Sequence, residues 1–426
     1  MITGLLLAFL LASATSREVQ TNDLNDIFDA VWDILNALRM TIKLPDDAGL
    51  NITQLLTKYN YPVEEHTVVT EDEYTLSLFR IPTGRADTNN LSKPPVFLMH
   101  GLLSSATDFC NMGPKKSLAM ILADAGFDVW LGNSRGNKLS RKHVTLDPDR
   151  NSSYWDFSFH EKGIYDLPAS IDYVLNVTGL PSLSYIGHSE GTTDFFAMGS
   201  EKPEYNSKID IAIALAPIAY MENVTSPLVR LMVDYMTTLK LIADVVGIHE
   251  LPSSRWLSLL GDLMCNDESD FQCNCAMLFE ILVGDDIEQF NLSTIPIILS
   301  NAPAGISLRQ LEHYGQMIRS ARFQKYDYGL ANILHYGQFT PPSYNTSKIS
   351  APMAIFYAQN DAFAATINVE QLISELPDLK EAILIQYASF NHLDFLWAID
   401  VKELLYDKVI DTLKKYVTVN SNISRK

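Results

Sequence analysis

The sequence predicts an α/β fold: one mostly parallel β-sheet, covered by helices on both faces and interrupted by a largely helical insertion. Three observations point to it. Short apolar, β-rich runs alternate with amphipathic stretches through the first half of the chain, which is the pattern of βαβ units. From roughly Tyr220 to Asn345 the alternation stops, and Met, Leu, aromatic residues, Pro-containing breaks and three of the four cysteines take its place. Strand-like text then resumes near Pro352 and leads to a final helix.

Taken in order, the first-half strands are Val96 to Met99, Asp128 to Leu131, Leu183 to Ile186 and Ile209 to Leu215, with helices over 117–126 and 165–177. Pro168 falls early in the second helix, where a missing N–H is tolerated. Beyond the insertion, Pro352 to Tyr357 and Ala382 to Tyr387 read as strands. The closing helix carries an apolar face of Val401, Leu404, Leu405, Val409, Leu413 and Tyr416. There is no internal repeat and no low-complexity tract. The chain therefore divides into residues 1–16, a core segment with its N-terminal extension (17–219), the insertion (220–345) and the rest of the core (346–426).

Residues 1–16 predict a signal peptide. Met1 to Ala12 is a short apolar run, followed by small residues at 13–16 and then Arg17 and Glu18, which places cleavage after Ala14 or Ser16. The run is too short to span a bilayer, and no later apolar stretch reaches spanning length. Sequons at Asn51, Asn90, Asn151, Asn176, Asn223, Asn291, Asn345 and Asn422 agree with a secretory route. In such an oxidising setting Cys265, Cys273 and Cys275 predict a local disulfide, either Cys265–Cys275 or Cys265–Cys273. Three clustered cysteines without a nearby His make an incomplete zinc site, so no metal is expected.

Composition narrows the classes further. With 426 residues and 47% hydrophobic content the chain can bury a sizeable core, which excludes a disordered protein. Its 51 acidic residues against 32 basic ones give a net charge of −19, the wrong sign for nucleic acid as the main partner. An acidic lumen and an ordinary solvated surface both fit that charge.

The chemistry begins at Gly187-His188-Ser189-Glu190-Gly191, which follows the strand run ending at Ile186 and precedes a helix start. Gly-x-Ser-x-Gly between strand and helix is the nucleophile elbow of α/β-hydrolases: the turn strains Ser189, and the glycines let strand and helix approach. A serine hydroxyl needs a base, and the base needs an orienting carboxylate, in the chain order Ser, Asp or Glu, His. Asp361, ending the strand-like segment from Ala354, and His392, ahead of the final helix, satisfy that order. The competing acid, Asp394, stands too close to His392 to approach the imidazole from a neighbouring strand end. His100 and His188 suit packing or hydrogen bonding better than base catalysis, and His313 and His335 lie in the insertion. The loop His100-Gly101-Leu102-Leu103 supplies one backbone donor of an oxyanion hole, Leu102 N–H, and Glu190 N–H supplies the other. Each such donor is typically worth ~3–4 kcal/mol of barrier.

These residues resemble the acid lipases, the family that includes the lysosomal and gastric lipases. The resemblance runs through Tyr61-Pro-Val-Glu-Glu65, His100 to Thr107, Leu122 to Asn137, Phe157 to Glu161, Tyr165 to Ala169, Ala214 to Pro217, Phe323 to Asp327 and Asn391 to Ala398, nearly the whole chain after the signal peptide. It implies an α/β-hydrolase core, a cap at 220–345 with a lid near 252–283 that includes Trp256, and a disulfide between Cys265 and Cys275. It also implies a glycosylated, secreted or lysosomal enzyme that hydrolyses triacylglycerols or cholesteryl esters at a lipid–water interface without a cofactor. Two positions depart from the family: Glu190 stands where Gln is usual, and Glu73 stands where a Glu-Asp-Gly turn has its glycine.

The expected reaction is acyl-enzyme hydrolysis. His392 takes the Ser189 proton, Asp361 holds the imidazolium, and Leu102 and Glu190 N–H groups bind the oxyanion. The alternatives are a non-catalytic lipid-binding or storage protein with a lipase fold, favoured only by the carboxylate at Glu190, and an esterase of short, soluble acyl chains.

Overall fold

The computed structural model describes residues 44–86, 92–251, 265, 283–286 and 288–423. The expected signal peptide, Asn90, Trp256, Cys273, Cys275 and nearly all of the expected lid lie outside the described residues.

The strands are β1 (Glu64–Val69), β2 (Tyr74–Ile81), β3 (Pro95–Met99), β4 (Asp128–Leu131), β5 (Lys142–His143), β6 (Leu183–His188), β7 (Ile209–Leu215), β8 (Glu250–Leu251), β9 (Ile306–Ser307), β10 (Met353–Tyr357) and β11 (Leu379–Leu384). Nine of them form one sheet in the order β1-β2-β4-β3-β6-β7-β10-β11, with β5 beside β2. From β4 to β11 all neighbours run parallel. β1, β2 and β5 complete one side antiparallel.

The central strands are legible because helices cover both their faces. β3, β4 and β6 are buried at every residue, so each reads as an uninterrupted apolar run. β1 is mostly exposed Glu64-Glu65-His66-Thr67, and β11 alternates between half-buried and exposed. The last strand accordingly starts three residues before the expected Ala382, since an edge strand accepts Lys380 on its open face, and Glu381 on the other is paired with Lys408 and Lys415 of the closing helix.

The helix expected over 165–177 belongs to a longer helical run. Phe159–Glu161 leads into a π-helical turn, Lys162–Asp166, and then the α-helix Leu167–Thr178, which ends at Gly179 with φ 68°. Pro168 therefore lies inside the run rather than at its start. It offers no N–H to Ile164, and the wider π turn just before it absorbs that gap. The closing segment repeats the device, with a π turn at Lys402–Tyr406 ahead of Asp407–Ile423.

Between β7 and β10 the described residues are mainly helical: Pro227–Val246, Ile295–Leu299, Leu308–Ser320 and Asn332–Tyr336. The short antiparallel pair β8–β9 ties the ends of two of these helices together.

Arg135, in the loop after β4, fastens the antiparallel side to the rest. Its guanidinium is 1% exposed and bonds Asp72 from the β1–β2 turn at 2.6 Å and Asp166 from the π turn at 2.7 Å. It also lies 3.9 Å from the centroid of the Tyr74 ring. Next to Asp72, the exposed Glu73 adopts φ 70°, a left-handed conformation that costs an L-residue roughly 1–2 kcal/mol. Its carboxylate recovers only a surface bond from Thr145 at 3.2 Å. Glu73→Gly is therefore expected to stabilise the fold by roughly 0.5–1 kcal/mol. Urea unfolding should show a higher midpoint at unchanged slope.

Candidate active site

β6 passes into the helix Glu190–Glu201 through Ser189, whose φ of 53° and ψ of −117° lie outside the regions L-residues favour. The surroundings leave no alternative. Ser189 N–H donates to Leu215 O at 3.0 Å, Thr192 Oγ1 donates to Ser189 O at 2.6 Å, and Tyr185 OH donates to Gly191 O at 2.6 Å. Both elbow glycines are needed for close approach. A Cβ on Gly191 would sit 2.3 Å from Met99 O, and one on Gly187 would sit 2.7 Å from the Gly191 carbonyl.

The three side chains singled out in sequence meet at this turn. Ser189 Oγ–H donates to His392 Nε2 at 2.8 Å, and His392 Nδ1–H faces both Asp361 oxygens at 2.8 and 2.9 Å. All three residues are at least 92% buried. Asp361 does not end a strand as expected; it stands four residues beyond β10 in a loop, where the N–H groups of Phe363 and Ala364 fix its Oδ1 at 2.8 Å each. Asp394 turns away from the imidazole and accepts Asn391 N–H at 2.6 Å.

The loop after β3 is equally constrained. Leu103 has φ 63°, Ser104 N–H closes on Gly101 O at 3.3 Å, and Ala304 N–H reaches across from the insertion to Leu103 O at 2.7 Å. Leu102 sits half-buried in this turn. Glu190 opens its helix, so its N–H has no helical carbonyl four residues back. His100 Nδ1–H donates to Gly101 O at 2.8 Å while Nε2 accepts Ser134 N–H at 3.1 Å. His188 Nε2–H donates to the His392 carbonyl at 3.1 Å. Burial pushes His100 and His188 down to about 3, so both are neutral braces. His313, fixed between Ser158 Oγ at 3.0 Å and Gln324 O at 2.8 Å, is pushed down to about 3 by burial as well. His335 stacks on Tyr328.

Two features were not legible from motif spacing. Glu190 is buried and bonded by Lys162 at 3.3 Å and by Gln310 of the insertion. Neither partner is near it in the chain. The second is the segment 283–286, which stitches the acid loop to the histidine loop. Val283 O accepts Ala362 N–H at 3.3 Å, Gly284 O accepts Asn391 Nδ2–H at 3.0 Å, and Asp285 O accepts Asn360 Nδ2–H at 2.9 Å. Asp286 adds its carboxyl to the surroundings of Asp394, and Tyr387 OH is shared between Asp286 Oδ1 at 3.2 Å and Glu288 at 3.0 Å.

Among the cysteines, Cys265 is disulfide-bonded and Cys110 is free and buried. Of the sequons, Asn51, Asn151, Asn176 and Asn345 are exposed, and Asn223 and Asn291 are half-buried. Among the described residues no helix is long and apolar enough to cross a membrane.

Asp394 carries a pH consequence. Burial above all, with the Asp286 carboxyl adding to it, pushes Asp394 up to about 8. Because the folded value lies above the ordinary carboxylate value of about 4, the folded state holds this proton more tightly. That stability is fully present below about pH 4 and is lost as pH rises towards 8. The melting temperature is thus expected to fall across this range, and Asp394→Asn to flatten the fall. A thermal-melt series from pH 4 to 8 on both proteins measures it.

Residues 52–113 match the model of a partial alpha/beta-hydrolase lipase region, and residues 94–234 match the model of the alpha/beta hydrolase fold. The chain is 40% identical to gastric triacylglycerol lipase of Mus musculus over 85% of this chain and 91% of that one. It is 38% identical to lysosomal acid lipase/cholesteryl ester hydrolase of Macaca fascicularis, over 87% of this chain and 92% of that one. Among solved structures it shares the fold of a soluble variant of monoglyceride lipase from Saccharomyces cerevisiae, with TM-score 0.50 and 16% identity over 84% of this chain and 98% of that one. The chain belongs to the acid lipase family of α/β-hydrolases.

Proposed function

We propose that this protein hydrolyses fatty acyl esters, triacylglycerol or cholesteryl ester, through an acyl-enzyme on Ser189. The observation that carries the reading is the unbroken relay from Ser189 Oγ through His392 to Asp361, each link 2.8–2.9 Å long. His392 Nε2 already accepts the Ser189 proton's hydrogen bond, so attack on an ester carbonyl moves that proton to the imidazole as the C–O bond forms. Asp361, itself fixed by two N–H donors, keeps Nδ1 protonated and offsets the imidazolium charge. The developing oxyanion is assigned to the Leu102 and Glu190 N–H groups. Collapse returns the proton to the leaving alcohol, and water repeats the sequence on the acyl-enzyme. The substrate class follows from the two relatives, whose names specify triacylglycerol and cholesteryl ester.

The apolar run at 1–16 and the exposed sequons support passage through the secretory route to a lysosomal or extracellular address. Asn51, Asn151 and Asn345 use Oδ1 to accept local N–H bonds, which leaves Nδ2 for a glycan. Asn223 commits Nδ2 to Asn368 Oδ1 at 2.9 Å and is the least suited of the described sequons. The Cys265–Cys275 pairing remains the reading for the disulfide.

Ser189→Ala and His392→Ala are each expected to reduce kcat on emulsified triolein by roughly a thousandfold or more, because the relay acts as a unit. Circular dichroism should be unchanged. Normal hydrolysis by Ser189→Ala overturns the mechanism. Assays of triolein, cholesteryl oleate and a short-chain ester from pH 4 to 8 should show preference for the two long-chain esters. Activity confined to the short-chain ester would make the protein a soluble-ester hydrolase, and binding of lipid without hydrolysis would make it a carrier.

A further inference from the structure

The carboxylate beside the nucleophile poses a chemical problem. Glu190 supplies an oxyanion donor through its backbone, yet its side chain is buried, and a negative charge there would oppose the one that develops during attack. The surroundings answer it. Lys162 Nζ lies 3.3 Å from Glu190 Oε2, with both side chains 2% exposed. Lys162 arrives on the π turn 162–166, which closes tightly on the nucleophile's helix: a Cβ on Gly163 would lie 2.7 Å from Asp194 O. From the insertion, Gln310 Nε2–H donates to Glu190 Oε1. One turn further on, Tyr314 OH donates to Thr193 Oγ1 at 3.2 Å.

The remaining groups that face this cluster are accounted for. Arg135 stands between Asp166 and Asp72 and binds both, so this trio carries one net negative charge, held by its own cation. His100 is neutral. Asp194, on the same helix as Glu190, has neither carboxyl oxygen hydrogen-bonded. Burial, and then the Glu190 charge, holds it well above the usual carboxylate range, which favours its protonated form. The opposite charges in direct contact beside Ser189 are Lys162 and Glu190; burial raises the Glu190 carboxyl and the Lys162 ammonium is the main group that lowers it.

We propose that Lys162 is a positioning residue for ester hydrolysis: its buried ion pair with Glu190, clamped by Gln310, cancels the negative charge next to Ser189 and fixes the Glu190 N–H on the oxyanion. The proposal rests on the esterase reading of Ser189. Without Lys162, Glu190 is a buried carboxyl that is tolerable while protonated and harmful once ionised.

The test is the pH dependence of kcat for Lys162→Met and for Lys162→Met/Glu190→Gln, each as a ratio to the parent chain on a soluble ester and on emulsified triolein, per folded molecule. Lys162→Met should stay within about threefold of the parent at pH 5 and fall about tenfold or more below it at pH 8, with KM little changed. The double variant should recover most of the loss at pH 8. A purely structural role would depress activity evenly across pH. An even loss, no loss, or a double variant no better than the single overturns the proposal. If Lys162→Met does not fold, the double variant decides: folded and active supports the pair, unfolded or inactive overturns it. A parent chain inactive on every ester overturns the esterase reading and this proposal together, whereas an active parent with a pH-independent Lys162→Met defect overturns this proposal alone.

Discussion

The strained backbone at Ser189 is the constraint around which the rest of the molecule is arranged. An L-residue at φ 53° and ψ −117° persists only where its neighbours over-determine it. Here β7 holds its N–H, the first turn of the following helix holds its carbonyl, and β3 presses so close that position 191 admits no side chain. Each restraint comes from a central parallel strand or from the helix leaving the sheet. The sheet order that places β6 between β3 and β7 is therefore what makes the turn possible, and it also brings the loop after β3 beside Ser189.

Around that turn, buried charge is consistently answered. Arg135 is shared by two aspartates and Lys162 meets Glu190, while Asp361 faces His392 Nδ1 and accepts the Phe363 and Ala364 N–H groups. Burial drives other groups towards their neutral forms: it lowers His100 and His188 and raises Asp194 and Asp394. A carboxyl that keeps its proton suits acid conditions, since its protonated form is the one that fits the interior. The net charge of −19 says little about this. The few acidic residues beside Ser189 and His392 matter more, and their state is set by burial and by partners.

What could be read from the chain divides along physical lines. Strands buried on both faces announce themselves as apolar runs, and the elbow announces itself because only glycine fits at 187 and 191. The order Ser189, Asp361, His392 follows from chain position alone. β1 and the first three residues of β11 are hidden by their open faces, and the π turn at 162–166 by the absence of any local signature for a widened helix. Asp361 does face His392, but from a loop that the chain does not announce, because its orientation comes from the Phe363 and Ala364 N–H groups rather than from a strand end. Lys162, Gln310 and Asp286 carried no local signal, since their partners lie 28, 120 and 108 positions away in the chain. Only the fold pairs them.

Covalent trapping tests the central claim most directly. The protein would be incubated with a long-chain alkyl phosphonate ester, a stable mimic of the tetrahedral acyl intermediate, and digested for peptide mass spectrometry. One phosphonyl group per chain is expected, on the peptide that carries Ser189, with loss of ester hydrolysis in proportion to modification. Complete inhibition with Ser189 unmodified, or full modification of Ser189 with hydrolysis intact, would contradict it.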